Sequence, residues 1–301
     1  MRLTRILMGG VALAMLGTLS TTAVASAAAK PKIIIGSTNF EEQAIVANLY
    51  GDVLQHAGYP VTVEPATGTR SIVVPAIEKG QIDLEADYAG SLLNFFHAPN
   101  STPLANNLST AIPKLKKTLK PFGVTVLTPA PALDTNVFVV TKATAKKYHL
   151  TTIASLKPYA SKLKLGGPQE CPTTAGCLPG LKKTYGLKFA GFTATDEAGP
   201  ISVAALKNGN VQVVELFSSD GNVVGNNFVA LTDNKHLESA DYITPVIRTS
   251  VDSPAVTKLL NAVSAKLTTA QISKLNVLVT GPQKEQPADV ATAWLKSEHL
   301  L

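Results

Sequence analysis

Ala76-Ile77-Glu78-Lys79-Gly80-Gln81-Ile82-Asp83 and Ala205-Leu206-Lys207-Asn208-Gly209-Asn210-Val211-Gln212 carry one pattern twice. Each closes an amphipathic helix on a glycine and passes at once into an apolar strand. The offset is 129 residues, from 80 to 209, and it recurs downstream: Asp87-Tyr88-Ala89-Gly90 aligns with Leu216-Phe217-Ser218-Ser219, so Tyr88 and Phe217 stand at the same offset. Two α/β units of like design are therefore expected. Each sets an aromatic ring just past the C-terminal end of a strand, the edge where open α/β sheets bind ligands.

Outward from that pair, strands and helices alternate. Residues 32–36 form a short isoleucine-rich strand. Asn39 is placed to cap a helix whose first turn carries Glu41 and Glu42, where carboxylates suit the helix dipole. Val46, Leu49, Tyr50, Val53 and Leu54 repeat at helical spacing until Gly58. A strand over 61–63 and a helix over 71–79 follow. Strand, helix, strand in sequence implies a mainly parallel sheet. The second unit runs from about 137 to about 231, with helices over 141–148, 178–185 and 201–208, and a strand at 242–248 comes after it. The tail is helical: Ser253 caps, Pro254 starts, and Val256, Leu259, Leu260, Val263 and Leu267 line one face. Further helices are expected around 271–278 and 288–296.

Composition narrows the class. A hydrophobic share of 45% and a charged share of 16% over 301 residues suit a folded chain of two domains and argue against disorder. The formal charge of +6 has no dense basic tract behind it, and lysines 114, 116, 117 and 120 read as one solvated helix face, so no nucleic acid is expected. Arg2 and Arg5, an apolar stretch over 6–19 and the small residues Ala25-Ser26-Ala27 have the layout of a secretory signal peptide over 1–27. That stretch is short for a membrane span, and no cysteine follows it for lipid attachment. A soluble periplasmic or secreted protein is expected. In such a compartment Cys171 and Cys177, flanked by Pro172 and Gly176, read as a disulfide clipping one loop. Two cysteines without nearby histidines make a poor zinc site, and no metal or cofactor is expected.

Gly36-Ser37-Thr38-Asn39-Phe40-Glu41-Glu42-Gln43 resembles the opening of the substrate-binding proteins of ABC importers for glycine betaine, choline, carnitine and related osmoprotectants. Matching segments follow in order: Ile82-Asp83-Leu84 into Asp87-Tyr88-Ala89-Gly90, Pro129-Ala130-Pro131-Ala132, Leu178-Pro179-Gly180-Leu181, Ser218-Ser219-Asp220-Gly221 and Asp233-Asn234-Lys235-His236. The resemblance implies a two-lobe type II periplasmic binding protein fold, with residues 30–135 plus 243–301 in one lobe and 136–242 in the other. It implies hinges near 134–137 and 241–244, a monomer, and delivery of a small polar solute to a membrane permease.

Relatives that bind quaternary ammonium compounds surround the cation with tyrosines, whose rings attract it by about 0.5–2 kcal/mol each. Tyr88 matches one such position, while Asn136, Val203 and Phe217 stand at the others. Thr38 replaces a lysine found in relatives, and the loop carrying Thr173 and Thr174 replaces an arginine, which removes charge-assisted hydrogen bonds to a ligand carboxylate. The expected ligand contacts are Ser37, Thr38, Thr69, Tyr88, Ser91, Asn136, Thr173, Phe217 and Ser218.

The alternative is a sensor of the same fold that binds an amino-acid-like solute and signals to a receptor. Enzymatic activity is not expected. The five histidines are scattered, and no G-x-S-x-G or H-E-x-x-H pattern appears.

Overall fold

The computed structural model describes residues 29–97, 105–196 and 198–301, so the expected leader over 1–27 lies outside the described residues. The chain opens with β1 (Ile33–Thr38), α1 (Glu41–His56), β2 (Val61–Gly68), α2 (Arg70–Glu78), β3 (Leu84–Tyr88), α3 (Ala89–His97), α4 (Leu108–Leu119) and β4 (Val124–Val126). It continues through β5 (Asn136–Val140), α5 (Lys142–Tyr148), β6 (Lys164–Pro168), α6 (Leu178–Gly180), β7 (Gly191–Thr195), α7 (Pro200–Lys207), β8 (Val213–Phe217), α8 (Gly221–Gly225) and β9 (Val229–Leu231). It closes with β10 (Ile243–Arg248), α9 (Pro254–Lys266), α10 (Thr269–Thr280) and α11 (Pro287–Ser297).

Two sheets result, ordered β2-β1-β3-β10-β4 and β7-β6-β8-β5-β9. β1, β2 and β3 run parallel, as do β6, β7 and β8. β10 and β5 run against their neighbours, so both sheets are mixed where a mainly parallel pair was expected. The reversed strands are the ones that follow a passage between sheets, and a strand entering from the other lobe arrives from the opposite edge. Helices cover both faces of each sheet, as buried parallel strands require. On the first sheet, α1, α9, α10 and α11 pack one side and α2, α3 and α4 the other.

The repeated pattern is a structural repeat. α2 and α7 each stop before a glycine in the left-handed region, Gly80 at φ +72° and Gly209 at φ +73°, and the following strands end on Tyr88 and Phe217. An L side chain would strain both turns. Elsewhere the local chemistry matches the expectations in part. Ser253 and Thr141 cap their helices, accepting from the amides of Val256 and Thr144. Asn39 does not: Phe40 occupies the N-cap of α1 with no side-chain bond, because β1 runs on to Thr38. The expected helix over 178–185 is a single α-turn that widens into a π-helical turn over Leu181–Tyr185. Cys171 and Cys177 are bonded to each other.

The two passages between sheets run side by side. Leu133 bridges Tyr242 antiparallel, the Asp134 amide donates to the Asp241 carbonyl at 2.8 Å, and the Ile243 amide donates to the Ala132 carbonyl at 3.0 Å. A two-stranded ribbon of this kind can bend at a few residues while the packed sheets stay rigid. α10 also spans the lobes, packing on α1 and on α8. At the second contact a Cβ on Gly221 would fall on Val277, 3.1 Å from its Cα and its amide nitrogen. Gly221→Ala is therefore expected to lower the unfolding free energy by about 1–3 kcal/mol. Urea denaturation checks this, and an unchanged midpoint would mean that α8 and α10 separate freely.

Candidate ligand-binding cleft

The C-terminal ends of β1, β3 and β8 and the starts of α1, α2, α7 and α8 face one cleft of about 1080 Å³ between the lobes. That volume lies at the upper end of the roughly 300–1,000 Å³ of most small-ligand sites. A smaller cavity of about 140 Å³ opens behind Phe217, reaching Glu170, Glu215 and the disulfide.

Six of the expected contacts, Thr38, Thr69, Tyr88, Ser91, Asn136 and Phe217, line the cleft. Three do not. The Ser37 hydroxyl, near the end of β1, accepts from the Ala66 amide of β2 at 3.0 Å and is buried. Ser218 serves the hinge, accepting from the Thr135 amide at 3.0 Å and donating to the Leu133 carbonyl at 2.9 Å. Thr173 is exposed and donates to the Glu170 carbonyl, while its neighbour Thr174 reaches the cleft. Val203 is buried in α7 and lies outside the lining.

The floor of the cleft is a polar network that sequence reasoning missed. Tyr88 Oη donates to Glu42 Oε1 at 2.7 Å, and Asn276 Nδ2 donates to Glu42 Oε2 at 2.6 Å and to the Ser219 carbonyl at 3.1 Å. Ser219 Oγ then donates to Asp134 Oδ1 at 2.6 Å. Helix α1, the tail helix α10 and the loop after β8 are thus joined across the lobes. Burial pushes the Glu42 carboxyl up against the pull of its donors, and pushes Asp134 well up, with the Glu42 charge adding to it. Glu42 was expected to serve the helix dipole, but it is buried. Its spacing of four from Val46, and seven from Leu49, was the signal that it lies on the buried face.

A second carboxylate holds the other hinge strand. Asp241 accepts from the Ser91 amide at 2.6 Å and from Ser91 Oγ at 2.9 Å. The two aspartates are related as the lobes are: Asp134 leads into β5 and binds the loop after β8, and Asp241 leads into β10 and binds the start of α3. Burial raises the Asp241 carboxyl to about 6.

Arg70 also lines the cleft. Its Nε and Nη2 fork onto Asp87 at 2.9 and 2.7 Å. Burial presses the guanidinium pKa down, yet Asp87 more than offsets this and holds it above its ordinary value. An arginine in the first turn of a helix opposes the dipole, and that misplaced cation was the available sign of a buried partner. Aromatic surface remains beside these charges: Phe40 stacks on Tyr88 with centroids 6.1 Å apart and ring planes at 25°, and the residue is 40% exposed.

The family profile described as the substrate binding domain of the ABC-type glycine betaine transport system matches residues 31–297. The chain belongs to that family. Among relatives of this betaine-system family, the glycine betaine-binding protein YehZ of Escherichia coli K12 is 29% identical over 263 residues, covering 84% of this chain and 86% of its own. The carnitine transport binding protein OpuCC of Listeria monocytogenes is 26% identical over 279 residues, covering 90% and 88%. The apo structure of YehZ superposes with a TM-score of 0.76 at 27% identity, covering 91% of this chain and all of that one. A crystal structure of a glycine betaine/carnitine/choline ABC transporter chain matches with a TM-score of 0.81 at 23% identity over 89% of this chain and 99% of that one, which shows the shared fold. The family is one of substrate-binding proteins and not of enzymes. Among the described residues, no helix is long and apolar enough to cross a membrane.

Proposed function

We propose that this chain is exported, captures a quaternary ammonium osmoprotectant or a close relative of one between its lobes as a monomer, and passes it to the permease of an ABC importer. The observation that carries this reading is the cleft itself. Aromatic faces at Phe40 and Tyr88 stand over buried carboxylates, a combination that attracts a large, weakly hydrated cation. Residues 30–135 with 243–301 act as one lobe and 136–242 as the other, and the ribbon between them is the hinge. Ligand contact with both lobes is what would draw the equilibrium toward closure.

Thermal unfolding against glycine betaine, choline, carnitine and proline betaine tests the ligand class. A ligand at a hundred times its Kd adds about 2.7 kcal/mol of stability, an easily read shift. Tyr88→Ala should weaken binding of whichever solute gives that shift by about tenfold or more, through loss of the ring. No shift with any of these compounds would overturn the assigned class, and full affinity in Tyr88→Ala would remove Tyr88 from the site.

A further inference from the structure

We propose that Glu238 is a specificity-determining residue that selects a solute of net positive charge over a zwitterion. This rests on the ligand class proposed above and narrows it to quaternary ammonium compounds that carry a hydroxyl or other donor and no carboxylate.

The first observation is the balance of charge. Among the described residues, seven acidic side chains line the cleft against two cations, Arg70 and Lys284. Arg70 is committed to Asp87, and Lys284 is exposed to solvent. A ligand carboxylate would enter a field of its own sign with no disengaged buried cation to receive it, and like charges at close range in a low-dielectric site repel strongly.

The second observation concerns the backbone donors. Amides at helix starts are the usual receptors for an anion, but here the chain fills most of them with its own carboxylates. Asp241 takes the Ser91 amide at α3. Asp196 takes the amides of Ile201 and Ser202 at α7, at 2.9 and 2.8 Å, and Asp220 takes that of Asn222 at α8, at 2.8 Å. Glu41 and Glu42 already occupy the first turn of α1. Among the described helix starts at the cleft, that of α2, beside Thr69 and Arg70, has no acidic residue in its first turn.

Glu238 itself is the third. It lies on the passage between β9 and β10, lines the cleft, and is 8% exposed. Its Oε2 accepts from Asn136 Nδ2 at 3.4 Å and faces Gly176 in the disulfide loop. Its Oε1 is buried without a partner, and no described ion pair includes it. Burial, and then the charges of Glu215, Asp233 and Asp241, raise its pKa well above the usual carboxylate range. An unpaired buried carboxyl among three others is costly for the empty protein, and a bound cation with a donor group relieves both the charge and the missing hydrogen bond. A metal ion does not fit. Among the described residues, the one grouping of metal-ligating atoms within 4.8 Å is Cys171, Cys177 and Glu215, and both of its sulfurs are spent in the disulfide. Among the described residues, Glu238 belongs to no such grouping.

Calorimetric titration of the protein with choline and with glycine betaine, in wild type and Glu238→Gln, tests this. Wild type should bind choline at least about tenfold tighter than glycine betaine. Glu238→Gln, close in shape and still able to accept from Asn136, should weaken choline about tenfold or more and leave glycine betaine equal or improved. Glu238→Asp keeps the charge and should retain the preference, which separates the charge from any effect on folding. Equal or tighter binding of glycine betaine by wild type, or a ratio unchanged in Glu238→Gln, overturns the role of Glu238 while the ligand class stands. Binding of neither compound overturns the ligand class and this inference with it.

Discussion

Arg70→Ala is expected to destabilise the protein by about 3–5 kcal/mol, the cost of stranding a buried charge. Asp87 is 1% exposed and depends on the two-pronged contact with Arg70, and its Oδ1 also accepts from the Tyr88 amide at 2.6 Å. Glu85, on the same face of β3, is fully buried, and neither of its oxygens has a hydrogen-bond partner. Burial and the Asp87 charge push the Glu85 carboxyl well up, with Arg70 the one influence drawing it back. Without the guanidinium, two acidic side chains share an apolar layer with no counter-charge, beneath the strand that carries Tyr88.

Arg70→Lys should fall between wild type and alanine, since an ammonium keeps the charge but cannot fork across both carboxylate oxygens. The double change Arg70→Met with Asp87→Leu should recover much of the loss, because replacing both members of a buried pair by apolar groups removes the stranded charge. Urea denaturation followed by circular dichroism gives these values. A cost below about 1 kcal/mol for Arg70→Ala would mean that solvent reaches Asp87, and that the pair behaves as a surface salt bridge.

The large features of this fold were readable because they rest on local chemistry. The glycine stops at 80 and 209 and the aromatic-ended strands repeat at one offset, so the likeness of the lobes follows from spacing alone. The site was only half readable, for a physical reason. Tyr88, Thr69 and Ser91 lie beside strand ends and helix starts that periodicity locates. Glu42, by contrast, meets Asn276 across 234 residues, and Asp241 meets Ser91 across 150. Nothing in the neighbourhood of any one of these residues reports such a partner. The reversal of β5 and β10 escaped notice on the same grounds, since strand direction depends on which edge the passage enters by. Glu85 and Asp87 were an exception: alternating with Leu84, Ala86 and Tyr88 in a strand buried on both faces, they already demanded a cation.

The protein without ligand should become less stable as pH rises from about 4 to about 6, and Asp241 accounts for much of the change. Burial is the main cause of its pKa of about 6. The facing groups divide: Ser91 on α3 and Arg70 on α2 draw the pKa down, and Asp87 on β3 pushes it up. An unfolded chain would ionise Asp241 near 4. Between those values the folded protein holds a proton that the unfolded chain releases, so the contribution is complete below about 4 and is lost as pH rises through 6. A difference of about two units corresponds to about 3 kcal/mol. Glu42, Asp134 and Glu238 are raised by burial too and act in the same direction. Asp196 sets the acid limit. Burial would raise it, but the amides of Ile201, Ser202 and Gly199 and the Ser202 hydroxyl outweigh that and hold it below its ordinary value. Its contribution is therefore lost in acid, below about pH 4, and the optimum should fall near pH 4. Urea midpoints from about pH 3.5 to about 8 measure the profile, and Asp241→Asn should flatten it between about 4 and about 6. A stability that holds level or climbs across that range would mean these carboxyls are already ionised and solvated in the open cleft. With saturating choline the fall should shrink or reverse, because a cation binds the ionised carboxyls and returns at neutral pH what the empty cleft loses.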